Sequence, residues 1–207
     1  MHSCARPDRN KKHRQTRGMS QLDWIIEESY KSAKKGRWSD LLSEWAASPV
    51  LAKRCSRYRK PESGWTFLHQ AAYFGNKKAC QELISRGASI EPMGRDGRSP
   101  EHVAEQRGHH ELAEFLRKAS LDRDSCYAPS EDPDVLPSSC HWEEAKAQAA
   151  PIELFVGYGG SLVRIPKGST YFIDALGRVL VGWHGTYNPP SGMGGESMIQ
   201  EERSTLS

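Results

Sequence analysis

His69 and His102 stand 33 residues apart in matching local contexts, and a repeated imidazole invites a chemical reading, as a shared metal ligand or a proton carrier. Other groups in this 207-residue chain invite one too. Cys126, Cys140 and His141 are metal-ligand types, but no second ligand pair stands at zinc-site spacing. Asp174, His184 and Tyr187 hold the groups of an acid–base set without a spacing that would fix their geometry. Gly157-Tyr158-Gly159-Gly160 lacks the surroundings and the Lys of a phosphate-binding loop and reads as a turn. Neither G-x-S-x-G, H-E-x-x-H nor C-x-x-C occurs. The expectation from these residues is a non-enzymatic protein with no cofactor and no metal.

The two histidines belong to a longer repeat. Gly64-Trp65-Thr66-Phe67-Leu68-His69-Gln70-Ala71-Ala72-Tyr73-Phe74-Gly75 returns 33 residues later as Gly97-Arg98-Ser99-Pro100-Glu101-His102-Val103-Ala104-Glu105-Gln106-Arg107-Gly108, and the register carries on from Leu83 to Leu116. Thr66 and Ser99 are placed to cap a helix, and Pro100 sits at a first helical position, where its missing N–H costs nothing. Ala71, Ala72 and Ala104 let neighbouring helices approach closely, and Gly75 and Gly108 end those helices. A second helix follows in each copy, with Ala79, Leu83 and Ile84, then Leu112, Phe115 and Leu116, forming one apolar stripe.

This period, with its T-P-L-H-x-A-like core, resembles the ankyrin repeat. The resemblance implies a helical solenoid, so the fold class expected is mainly α, with the histidines tying adjacent turns together. Phe67 departs from the usual Pro, and Glu101 from the usual buried Leu, which marks the second copy as the last; both departures predict reduced stability. Gln21 to Pro49, two helical segments broken at Gly36, reads as a degenerate first repeat, giving an array over 21–120. About six extra residues before the next copy are expected as a basic inserted loop around Lys53 to Lys60.

The resemblance also implies where a partner would lie: on the finger turns and the concave face of the inner helices. Carried over, these positions are Glu62, Ser63, Trp65, Tyr73 and Phe74, then Arg95, Asp96, Arg98, Gln106 and Arg107, with Lys34 and Lys35 extending the row. Trp65, Tyr73 and Phe74 are large aromatics at positions expected to face solvent. Aromatics beside arginines form the energetic centres of interfaces. Two readings stand for them: a free interface, or an internal one covered by another part of the chain.

The rest of the sequence differs in character. Residues 1–20 hold six Lys/Arg against one acidic residue, too polar to offset ordering entropy, and read as a disordered basic tail. Residues 121–151, with seven acidic residues against two basic and four prolines, read as a linker in which His141 to Ala150 could form a short helix. Residues 152–187 carry β-rich runs divided by Gly, Pro and Ser, a small antiparallel β unit whose last two runs form a hairpin around Ala175-Leu176-Gly177. At about 36 residues it is too small to stand alone and should pack on the helices or on a partner. Residues 188–207 read as a flexible end.

Five cysteines without a C-x-x-C pair, no apolar run long enough to span a membrane and no signal-peptide core point to the cytoplasm or nucleus. The function expected is a protein–protein interaction module or adaptor, monomeric. Two alternatives remain open: a small-molecule-binding or catalytic β unit targeted by the repeats, and nucleic-acid binding through the basic tail and loop.

Overall fold

The structure is a computed structural model and describes residues 20–121, 132, 134–182 and 185–191. The expected tail, His184, Cys126 and most of the flexible end lie outside the described residues.

Helix α1 spans Gln21–Lys34, α2 Trp38–Ala47, α3 Pro49–Arg57, α4 Phe67–Tyr73, α5 Lys77–Ser85, α6 Pro100–Gln106 and α7 His110–Leu121. Their starts follow the hydroxyl caps. The Ser20 side chain accepts from the Asp23 N–H, Thr66 from His69, and Ser99 from His102 with Pro100 next in line. Gly75 ends α4 at φ 67°, a left-handed turn that a side chain would strain, and His109 lies so close that a Cβ there would clash. α4 packs between α1 and α6 to make an inner row, and α3 packs on α5 in an outer one.

Between the rows, Trp45, Phe67, Leu68, Leu83, Ile84 and Leu116 are all buried to 1% exposure or less. Phe67, in the place of the usual Pro, is fully buried. Its ring meets Trp45 at 5.7 Å, Tyr30 at 5.2 Å and Tyr58 at 5.9 Å between ring centres, filling the space beside the first repeat. Glu101 behaves as a terminal residue should, pairing with Arg117 at 2.9 Å on the outer end of the stack.

The expected inserted loop at Lys53 to Lys60 is corrected in its first half: Pro49–Arg57 is helix α3. Pro49 starts it, and Ala52, Cys55 and Ser56 face inward at helical spacing. The apolar stripe is built from small residues, so the basic ones dominated the sequence pattern.

The linker expected over 121–151 is also corrected. It supplies β1 (Val135–Leu136), β2 (Ser138–Ser139), a 3-10 turn at Trp142–Glu144 and β3 (Lys146–Ala149), in place of the short helix. These join β4 (Leu154–Tyr158), β5 (Ser161–Ile165), β6 (Thr170–Ile173) and β7 (Val179–Leu180) in two sheets, ordered β1-β4-β5 and β2-β7-β6-β3. The expected hairpin is present, with β6 antiparallel to β7. The sheets are mixed, because β1 on β4 and β2 on β7 pair in parallel. Pro137 separates β1 from β2 and cannot donate to a ladder, so the chain leaves one sheet there and enters the other.

This unit docks on the outer helices. Lys53, buried on α3, donates to the Asp134 carbonyl at 2.9 Å, and burial holds its pKa below the usual lysine value. Gln81 on α5 donates to the Ala175 carbonyl at 3.4 Å. Leu176, at the tip of the β6–β7 hairpin, is 8% exposed and belongs to the helical core. Gly177 passes so close to Ser85 that a Cβ would stand 3.0 Å from that side chain's own.

Candidate functional site

The inner row of helices offers the site. Trp65 leads into α4 and Tyr73 ends it, so both rings lie along one helix, with centres 6.5 Å apart. Arg98 leads into α6 and places its guanidinium 5.4 Å from the Trp65 ring; Arg107, just beyond α6, lies 4.2 Å from the Tyr73 ring. Two cation–π pairs therefore cross the same repeat boundary.

Asp96 fixes the first pair. Its carboxylate accepts from the Trp65 indole at 3.0 Å and from Arg98 at 2.6 Å. Its partial burial would raise its pKa, but the Arg98 and Trp65 hydrogen bonds outweigh that and hold it below the usual aspartate value. Arg98 also donates to Gln106 at 3.0 Å. Arg107 has no carboxylate partner among the described residues and is exposed, so its outward edge remains available to a ligand.

Of the positions expected to form the row, the structure brings Trp65, Tyr73, Asp96, Arg98, Gln106 and Arg107 into one connected cluster. Phe74 joins through its edge-on contact with Tyr73 at 5.2 Å, and its ring lies against Gly36 in the turn between α1 and α2. Lys34 and Lys35 are exposed beside that glycine. Ser63 joins the fingers, its carbonyl accepting from the Arg95 N–H at 2.8 Å, while the Arg95 side chain is exposed. Glu62 turns away to Lys60 at 3.2 Å.

The two readings of the aromatics resolve into a third. Among the described residues the β unit is bonded to α3 and α5, and no hydrogen bond or ring contact joins it to these rings. Trp65 stacks on His69 of its own repeat at 5.3 Å with 23° between planes, and Phe74 packs on Gly36 of the repeat before, so the rings rest on the helical array while presenting an outer surface.

His69 holds the structural place that the resemblance implied. The Thr66 N–H donates to its Nδ1 at 3.1 Å, which leaves the proton on Nε2, and that nitrogen meets the Arg98 carbonyl of the next repeat at 3.0 Å. Burial holds its pKa below the ordinary histidine value. His102 keeps the local bond, Nδ1 to Ser99 Oγ at 2.7 Å, but is exposed at the end of the array.

Sequence reasoning missed one cluster. Glu27 of α1 accepts from both Tyr58 and Lys60, binding the first repeat to the finger before α4. Burial works to raise the Glu27 pKa, and the Lys60 and Tyr58 hydrogen bonds reverse it to a net lowering, while Lys60 is raised by the same contact. No local pattern signals a contact across 33 residues. Asp174, the acid of the imagined acid–base set, is buried against Arg178 at 2.6 Å as a structural pair.

Residues 41–125 match the family model for ankyrin repeats, described as three copies. Similar proteins include Calmodulin-binding transcription activator 4 of Arabidopsis thaliana, 36% identical over 38% of this chain, and Diacylglycerol kinase iota of Homo sapiens, 40% identical over 27%. The ARF GTPase-activating protein GIT1 of Mus musculus is 32% identical over 45% of the chain. The chain spans 8%, 5% and 13% of the length of those relatives. Among the described residues no helix is long and apolar enough to cross a membrane.

Proposed function

We propose that this chain, whose helical half is an ankyrin-repeat array and hence a protein–protein interaction module, acts as a non-enzymatic adaptor that holds its partner on the inner-helix face. The observation that carries the reading is Arg107 lying 4.2 Å over Tyr73 with no carboxylate partner among the described residues. A guanidinium pre-stacked on a ring loses little freedom on binding and offers its N–H edge to a carbonyl or carboxylate. Trp65, Phe74 and Arg98 extend the same surface, with the fingers at Ser63 and Arg95 as its rim. The kinase relative matches over 55 residues only, a stretch too short to bring its activity here. The adaptor is read as a monomer of the cytoplasm or nucleus.

Affinity capture with the intact chain and with Arg107→Glu tests the reading. Arg107 is exposed and gives up only its stacking on Tyr73 and its place at the end of α6, so the substitution should cost no more than about 1 to 2 kcal/mol and leave the chain folded. Proteins captured by the parent should be lost by the variant. An unchanged capture profile from the folded variant overturns the proposal.

A further inference from the structure

The β unit carries an open flank. Among the described residues β3, Lys146-Ala147-Gln148-Ala149, is the last strand of its sheet, paired only with β6, and all four of its residues are exposed. The phase of the ladder follows from one bond: the Ala150 N–H donates to the Ser169 carbonyl at 2.9 Å. In an antiparallel pair the bonded positions alternate, so Gln148 and Lys146 turn their backbone groups to β6, while Ala147 and Ala149 turn theirs to the open edge. Natural edges are blunted by proline, bulges or charge. Here the outward positions are alanines, the least obstructive residues that still hold a strand.

Along the same flank runs a cleft of about 640 Å³ between the sheet face and the outer side of α5. Lys146, Gln148, Tyr171 and Ile173 line its sheet side, Lys78 and Ser85 its helix side. Lys78 and Lys146 are exposed and make no ion pair among the described residues, whereas Arg86 nearby is paired with Glu82 at 2.9 Å. The cleft therefore joins two uncompensated ammonium groups to an apolar patch, beside a row of unused backbone donors and acceptors.

We propose that the β3 edge takes up an extended segment of a partner protein as an added strand, with acidic side chains at alternate positions directed to Lys78 and Lys146. Main-chain bonds to Ala147 and Ala149 supply the grip, and the alternating side chains entering the cleft supply the selectivity. A second copy of this chain is disfavoured as the occupant, because its β3 carries no acidic residue and would bring a further lysine of the same sign. The surface involves neither Tyr73 nor Arg107 and stands independently of the inner-face reading.

The probe is a fluorescein-labelled peptide of alternating Glu and Val, titrated by anisotropy against the full chain. It should bind saturably, and methylating alternate backbone nitrogens or replacing Glu by Lys should weaken it at least about tenfold. Ala147→Pro removes an edge-facing N–H without costing a bond to β6, and should have the same effect. Lys146→Glu, at an exposed position, should weaken binding likewise, and Arg107→Glu should leave it unchanged. Hydrogen exchange should show the Ala147 and Ala149 amides protected by the peptide, with β6 unaltered in the proline variant. No saturable binding up to about 1 mM, or binding indifferent to methylation and to Ala147→Pro, overturns the proposal. So does a dimer of the free chain that Ala147→Pro dissolves, which would make the occupant a second copy.

Discussion

The Nε2 of His69 reaches the Arg98 carbonyl across the repeat boundary, and the ring is wholly buried, so its removal leaves the Thr66 N–H without its partner and the Arg98 carbonyl with the Gly94 N–H alone. His69→Ala should cost about 2 to 4 kcal/mol, while His102→Ala, exposed and bonded only within its own turn, should cost less than about 1 kcal/mol. Urea unfolding of the two variants checks the contrast. Acid should act through the same residue. The unfolded chain takes up a proton near the ordinary histidine pKa of about 6.5, before the folded chain, whose His69 is held lower by burial. Its contribution is therefore complete above that pH and declines as pH falls toward the folded value. Between about pH 7.5 and 5.5 the parent should lose more stability than His69→Asn does. The sequence shows the histidines as equals, since their neighbours match; only the presence or absence of a following repeat separates them. The packing of Phe67 is hidden for a related reason, because its contacts are with Tyr30 and Trp45, which no neighbouring residue announces.

Among the elements, those with a repeated pattern were legible and those without were not. α4 to α7 follow from caps, glycines and apolar stripes read in the chain. α3 was hidden because its inward face is made of Ala52, Cys55 and Ser56. β1 and β2 were hidden because two-residue strands on either side of a proline show no alternation. Yet Val135 and Leu136 are buried and give the β unit the apolar surface that residues 152–187 lack alone. The hairpin turn was legible, but not that its tip enters the helical core. Leu176→Ala should cost about 2 to 4 kcal/mol and hasten amide exchange in β6 and β7, as measured by mass spectrometry. Leu83→Asp, a charge placed in the centre of a short array, should abolish cooperative unfolding seen by circular dichroism.

At the scale of the whole molecule, the β unit occupies the outer helices and leaves the inner face to its own side chains. Lys53, Gln81 and Leu176 mark the docked side; Trp65, Tyr73, Phe74, Arg98 and Arg107 mark the clear one. The candidate row was legible position by position through the repeat register, whereas its linking through Asp96 and the exclusion of the β unit were not, since both depend on how separate segments meet. That separation of faces is what keeps the inner row free to bind. Hydrogen exchange on the variant carrying Trp65→Ala with Phe74→Ala tests it directly. The rings rest on His69 and Gly36, so exchange should quicken around α4 and the first repeat, with a stability loss of about 1 to 3 kcal/mol. Thr170 to Leu180 should exchange as in the parent. Faster exchange there, matching that of Leu176→Ala, would show the β unit resting on the inner face and contradict the account.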